Sequence, residues 1–232
     1  MAKYRTNLPQ LSGDLFLTDG GIETTMLFHE GLDLPHFAAF NLLNEPKGQA
    51  ALKKYFHNHC AIAVKYKVGF ILEAVTWRAS LDWAEKLGYS KASLDEMLHK
   101  AVEFLAPFRD QYENEDTKMV ISGCIGPRGD GYTPGDLMSA NEAEDYHSMQ
   151  IETLSKTTAD MLTVLTLNYV EEAVGIARAA KLHNMPAVIS FTVETDGKLP
   201  TSQSLREAIE QVETETEITY LLQNKLRTSH SL

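Results

Sequence analysis

The chain has 232 residues, of which 44% are hydrophobic and 23% charged, so disorder, collagen and a coiled coil are excluded as descriptions of the whole chain. With 21 basic and 32 acidic residues, its net charge of −11 argues against nucleic acid or an anionic membrane as the main partner. The chain has only two cysteines, no apolar run of about 18 residues and no apolar N-terminal segment. These features predict a cytoplasmic protein with neither a membrane span nor a secretory signal.

Short apolar runs bounded by turn residues alternate with helical patterns along the chain. The runs predict strands at residues 15–18, 69–75, 118–123, 161–167 and 186–193, and the start of a sixth strand within 218–222. Helical spacing predicts helices at 50–67, 142–158 and from 170 onward. Two further helices are predicted to begin at capping boxes, Ser93 with Glu96 and Ser204 with Glu207.

This order is β-α repeated about five times without a hairpin signal, which predicts an α/β fold with a parallel sheet. An open doubly wound sheet and a (β/α)8 TIM-type barrel both fit. Long loops at 22–48 and 126–141 follow the first and third strands, and no dinucleotide-binding or P-loop motif is present, so the barrel is favoured. A full barrel needs about 250 residues and eight units. We therefore expect residues 1–232 to form a single, incomplete barrel domain.

Polar side chains follow or end several of the predicted strands, where parallel folds carry their functional groups. Carboxylates at such a place are able to hold an ammonium group, a metal ion or a transferable proton. A purely structural interpretation also fits, because aspartates are common turn formers. The residues at these positions are Asp19, Glu73, Thr76, Asn168, Glu194 and Asp196.

The histidines and cysteines form no obvious metal site. His57 and His59 lie two residues apart on a predicted helix and point in nearly opposite directions, so both are read as ordinary helix residues. Cys60 is expected in the core. Cys124 has no histidine placed beside it by sequence and is also read as a core residue.

Five segments of the chain resemble the homocysteine S-methyltransferase family, in the family's order and over about residues 12–220. They are residues 17–24, 71–80, 121–129, 167–173 and 188–200. The resemblance implies a (β/α)8 barrel that transfers a methyl group to the homocysteine thiol, giving methionine. The implied partners are homocysteine and a methyl donor.

The resemblance also implies substrate-binding residues, while the catalytic residues stay unknown. Asp19 and Gly20 match a motif at the homocysteine pocket, and Glu73 and Thr76 match one whose polar side chain reaches the amino acid. Asn168 and Glu194 match the ends of strands four and five. Several relatives hold the substrate amine with a glutamate at the position of Leu165, so this chain either binds the amine differently, through Glu73, or binds another substrate.

The family binds one zinc ion through three cysteines, and this zinc activates the substrate thiol. Neither Cys60 nor Cys124 matches those positions, so the resemblance implies a C-terminally truncated chain without the metal ligands and without activity. Two other hypotheses stay open. One is a non-catalytic amino-acid-binding module, and the other is a different barrel enzyme with Glu73 and Asp19 as acid and base.

Two further expectations concern the incomplete barrel. Its open sheet edges are expected to cause self-association. In the family, the sixth strand is commonly followed by a segment like Asn-Cys-Ala-His-Pro-Thr-His-Phe. One choice of codons for this segment, translated in a reading frame shifted by two bases, encodes residues 226–232 of this chain, which suggests a frameshift.

Overall fold

The computed structural model describes residues 1–216 and the backbone of a strand at 221–226. Its chain divides into two compact units. The first contains residues 1–124 with 153–161, and the second contains 125–152 with the chain from 162 onward. The first residues of the predicted sixth strand, 218–220, and the tail at 227–232 with its suggested frameshift lie outside the described residues.

The sheet of the first unit is parallel, as predicted. It contains β1 (Phe16–Thr18), β2 (Gly69–Glu73) and β3 (Met119–Ile125), whose last residue belongs to the second unit. β1 pairs with β2, which in turn pairs with β3. Every residue of β3 is buried, as expected for a strand covered on both faces.

Five helices surround these strands. They are α1 (Ile22–Thr24), which continues as a π-helical turn at Thr25–His29, α2 (Pro46–Tyr66), α3 (Leu81–Glu85), α4 (Lys91–Glu103) and α5 (Ala106–Tyr112). The apolar stripe of α2 is buried, including Leu52, Phe56 and Ala63. Within the part of the chain that the structure describes, no helix has the length and apolar character needed to cross a membrane.

Three local predictions were wrong in the first unit. The capping box of α4 joins Ser90 and Ser93, so Ser93 is the third helical residue and not the cap. The predicted loop at 22–48 contains α1, the π-helical turn and two 3-10 segments, Pro35–Phe37 and Ala39–Asn44. The short helices α3 and α5 were missed because helices of five and seven residues give too little periodicity to detect.

The second unit repeats the same arrangement with β4 (Met161–Leu167), β5 (Ala187–Val193) and β6 (Leu221–Leu226), although Met161 itself belongs to the first unit. β5 pairs in parallel with both β4 and β6. The helices are α6 (Ala140–Ser155), of which residues 153–155 belong to the first unit, α7 (Val170–Leu182) and α8 (Leu205–Thr216). The predicted capping box of α8 is confirmed, because Glu207 accepts the Ser204 N–H at 3.0 Å and donates its own N–H to Ser204 Oγ at 3.2 Å.

A buried aspartate in the first unit holds its N-terminal segment against the sheet. Asp160 is fully buried, and its Oδ1 accepts hydrogen bonds from the backbone N–H groups of Lys3 and Tyr4, both at 2.7 Å. Its Oδ2 accepts from Arg109 Nη1 at 2.8 Å and from the Ile121 N–H at 3.0 Å. One carboxylate therefore joins the N-terminal segment, α5 and β3.

We expect Asp160→Ala to lower the free energy of unfolding by about 3–5 kcal/mol, because it leaves a buried guanidinium and several N–H groups without their acceptor. Urea denaturation measures this change. The control is Asp116→Ala, which removes an exposed ion pair with Lys67 at 2.9 Å and is expected to cost far less, because solvent screens such a pair. Equal losses in the two variants would contradict the role given to Asp160.

Candidate functional site

Two carboxylates lie at the carboxyl edge of the first unit's sheet. Asp19 directly follows β1, whose last residue, Thr18, pairs with Ile71 of β2. Glu73 is the last residue of β2, two residues beyond that pairing. Asp19 is half-buried, whereas Glu73 is only 4% exposed. Because neighbouring parallel strands end at the same edge, the fold brings together two acidic groups that are 54 positions apart in the sequence.

Burial and the neighbouring charges at this edge shift the pKa of the Asp19 carboxyl. Burial raises the pKa of the Asp19 carboxyl well above its usual range, and the negative charge of Glu73, followed by that of Glu23, raises it further. A hydrogen bond donated by Tyr55 Oη to Asp19 Oδ2, at 3.1 Å, opposes this shift. Burial and the charge of Asp19 also raise the pKa of Tyr55, so this phenol stays protonated and keeps donating.

Helix α2 supplies two side chains that sequence reasoning did not assign to the site. Tyr55 and His59 are one helical turn apart, and their rings are in contact, with centroids 4.2 Å apart and planes tilted by 44°. Their spacing of four residues signals a shared helix face. Nothing local in the sequence shows that this face meets Asp19, because the intervening segment has no periodic pattern.

Thr76 connects the segment after β2 to the end of β3. Its buried hydroxyl donates to the Cys124 carbonyl oxygen at 2.7 Å and accepts from the Cys124 N–H at 3.1 Å. The hydroxyl therefore has a structural role at this edge of the sheet. Its role in contacting an amino acid stays a prediction.

The two cysteines are buried thiols. Burial raises the pKa of Cys124 well above its usual range, with smaller contributions from the negative charges of Glu73, Glu23 and Asp19. Burial also raises the pKa of Cys60 to about 12. Because the thiolate is the nucleophilic form, both residues are poor nucleophiles, in agreement with the core interpretation.

A stacked arginine follows the same edge. The Cζ atom of Arg78 lies 4.2 Å from the ring centroid of Trp77 and 4.5 Å from that of Trp83. The guanidinium thus lies close to two indole rings, and Arg78 is 7% exposed. This stacking gives the segment between β2 and α3 a rigid cationic group.

In the second unit, the predicted site residues support loops. Asn168 is buried and donates from Nδ2 to the Asp130 carbonyl oxygen at 2.7 Å, which holds the loop after β3. Glu194 is half-buried and begins a turn in which its N–H donates to the Lys198 carbonyl oxygen at 2.7 Å. Asp196 Oδ1 accepts from the Lys198 N–H at 3.1 Å, which is the turn-forming role considered from the sequence. The ligand contacts of Asn168 and Glu194 stay predictions.

A buried glutamate, also missed from the sequence, holds the same loop. Glu172 Oε1 accepts the Arg128 N–H at 2.7 Å and lies 3.0 Å from His147 Nε2. Both side chains of the His147–Glu172 pair are almost completely buried. The i, i+3 and i+4 pattern of α7 showed that the helix has a buried face but did not reveal this polar contact.

The residues present do not fit the three-cysteine zinc site that the resemblance implies. Within residues 1–216 and the described strand, no group of three or more His, Cys, Asp and Glu side chains is arranged to hold a metal ion. Cys60 lies on α2 and Cys124 on β3.

Comparison with known proteins gives one family. The family model described as homocysteine S-methyltransferase matches residues 16–226. Among curated proteins, the chain is 24% identical over 223 residues to selenocysteine Se-methyltransferase and 21% identical to homocysteine S-methyltransferase 1, both from Brassica oleracea var. italica. The alignments cover 85% and 88% of this chain but only 61% and 66% of those proteins.

Solved structures show the same fold. The metallated form of the homocysteine methyltransferase MmuM from Escherichia coli matches with a TM-score of 0.73 and 19% identity, over 92% of this chain and 76% of that one. The oxidized form matches with a TM-score of 0.76 and 18% identity, over 97% and 77%. The predicted α/β fold of the TIM-barrel type, incomplete in this chain, is thereby confirmed.

We expect Asp19→Asn to raise the melting temperature near pH 7–8. A carboxyl with a raised pKa binds its proton more tightly in the folded protein than in the unfolded chain, so stability falls as pH rises from about 4 through the raised pKa. An asparagine carries no charge but keeps an oxygen that accepts from Tyr55. Thermal unfolding at several pH values measures the difference, which should disappear below about pH 4. A gain of the same size at every pH would contradict this origin.

Proposed function

The chain belongs to the homocysteine S-methyltransferase family, and on this basis we propose that it binds homocysteine at the edge that carries Asp19 and Glu73. The observation that supports this proposal best is the pairing of two carboxylates at the ends of adjacent strands, where negative charge attracts the ammonium group of an amino acid. Gly20 lies beside them without a side chain, so that a ligand is able to approach the backbone.

The activity proposed for the whole protein is methyl transfer to the homocysteine thiol. In that reaction the thiol loses its proton and its sulfur attacks the methyl group of a donor. The bond between the methyl group and the donor breaks, and the demethylated donor leaves with the bonding electron pair. The acidic edge binds and orients the amino acid. The two hydrogen bonds between Thr76 and Cys124 join the segment after β2 to β3 at this edge. The resemblance implies that zinc forms the thiolate in this family, and neither of the two cysteines of this chain, Cys60 and Cys124, matches a position of the three zinc ligands. We therefore propose that the 232 residues bind the substrate but do not transfer the methyl group.

The raised pKa of Asp19 favours a second candidate, an acid–base enzyme on the same scaffold. A carboxyl whose pKa is raised by burial, beside a second carboxyl group at Glu73, has the arrangement of a general acid and a general base. Isothermal titration calorimetry with homocysteine separates the two candidates, because the acid–base alternative gives no reason for this amino acid to bind.

We expect Glu73→Gln to weaken homocysteine binding at least about tenfold, since a hydrogen bond to a charged group contributes about 1.5–3 kcal/mol. Glutamine has the same shape as glutamate and removes only the charge. Calorimetry measures the affinity, with the exposed Glu103→Gln on α4 as the matched control. Unchanged binding in Glu73→Gln would remove this residue from the site.

We also expect far less than one zinc ion per chain after dialysis against a weak chelator, and no methionine from homocysteine and a sulfonium methyl donor. Two cysteines on separate elements do not supply the three protein ligands of a catalytic zinc site. Elemental analysis and product chromatography measure these two quantities. One zinc per chain with turnover would contradict the proposal that the chain is inactive.

A further inference from the structure

The space over Gly20 is bounded by two polar atoms of α2. A Cβ atom placed on Gly20 would lie 3.7 Å from Tyr55 Oη and 4.0 Å from His59 Nε2, and apart from the adjoining residues these are its only neighbours within 4 Å in the described structure. Gly20 is exposed, so this space is accessible from solvent. A small ligand group above the Gly20 backbone would therefore meet a phenol and an imidazole.

The hydrogen bonding of His59 determines which of its nitrogens accepts a proton. Nδ1 lies 2.9 Å from the carbonyl oxygen of Tyr55, and a carbonyl oxygen only accepts, so Nδ1 carries the hydrogen. In the neutral imidazole the lone pair is then on Nε2, the atom nearest the space over Gly20. The tilted contact with the Tyr55 ring supports this orientation of the imidazole.

The surrounding charges select a cationic ligand. The Tyr55 hydroxyl already donates to Asp19, and Asp19 is close enough to Glu73 and Glu23 for their charges to act on it. The space is thus lined by an imidazole lone pair and lies beside a cluster of carboxyl groups. A protonated amine, which only donates hydrogen bonds, suits this lining, whereas a carboxylate would be repelled.

We infer that His59 is a substrate-binding residue whose Nε2 accepts a hydrogen bond from the ammonium group of the amino-acid substrate, with Asp19 on the other side of that group. This inference rests on the proposed function and deepens it, because it assigns amine recognition to a residue of α2. From the sequence alone, His59 was predicted to be an ordinary helix residue.

The test compares two ligands that differ only in the amine, homocysteine and 4-mercaptobutyrate, by isothermal titration calorimetry on the full chain. His59→Asn keeps a side-chain N–H where Nδ1 donates but has no atom at the position of Nε2, whereas His59→Gln places a polar atom near Nε2. We expect the asparagine variant to bind homocysteine at least about tenfold more weakly and 4-mercaptobutyrate unchanged. The glutamine variant should recover most of the loss.

Equal losses for both ligands in His59→Asn would indicate a structural role and overturn the inference, as would wild-type affinity for homocysteine. If the unaltered chain binds no homocysteine, the proposed function and this inference both fail. If the wild-type chain and the His59→Asn variant bind homocysteine with equal affinity, the proposed function is retained and only the inference about His59 fails.

A second variant tests the space itself. Gly20→Ala places a methyl group at ordinary contact distance from Tyr55 and His59, so the fold should keep its melting temperature while the ligand space is filled. We expect at least a tenfold loss of homocysteine affinity. The control is Gly135→Ala, where an added Cβ has no neighbour within 4 Å. Unchanged binding in Gly20→Ala would contradict a ligand above this residue.

Discussion

Parallel strand pairing is the constraint on which the candidate site depends. Each strand of such a sheet must be followed by a crossover segment, so the carboxyl ends of successive strands meet at one edge. In the first unit this places Asp19 next to Glu73, although α1 and α2 lie between them in the chain. The same pairing brings Cys124 of β3 to Thr76, which follows β2. The acidic edge is therefore a product of the topology.

In the first unit, one carboxylate stabilises the fold and a different one belongs to the candidate site. Asp160 is fully buried, but four donors surround it, so its charge is matched by hydrogen bonds and by Arg109. Asp19 accepts a hydrogen bond from Tyr55 but lies near two further acidic residues, which disfavour its ionised form. A buried carboxylate with few compensating donors or positive charges reduces the stability of the folded protein. Such a loss of stability is typical of functional sites, where the compensating charge comes from the ligand.

The sequence predictions were correct where an element depends on local interactions and wrong where it depends on more distant parts of the chain. The capping box of α8 was predicted because Ser204 and Glu207 are three residues apart and form a complete local motif. The similar prediction for α4 failed because two serines, Ser90 and Ser93, compete for the cap, and the outcome depends on where the preceding chain enters the helix. The strand β4 was predicted with its observed bounds, since a continuous apolar run between turn residues suffices for a buried strand.

The sequence by itself determined the alternation of strands and helices, the parallel sheet and the presence of carboxylates at strand ends, because these follow from local periodicity and from the turn residues. Only the tertiary structure decided that Tyr55 and His59 face Asp19 and Gly20, since the connection from β1 to α2 passes through irregular turns whose path no repeating pattern encodes. It also decided the direction in which the pKa of Asp19 moves, because the exclusion of water and the distance to Glu73 exist only in the folded chain.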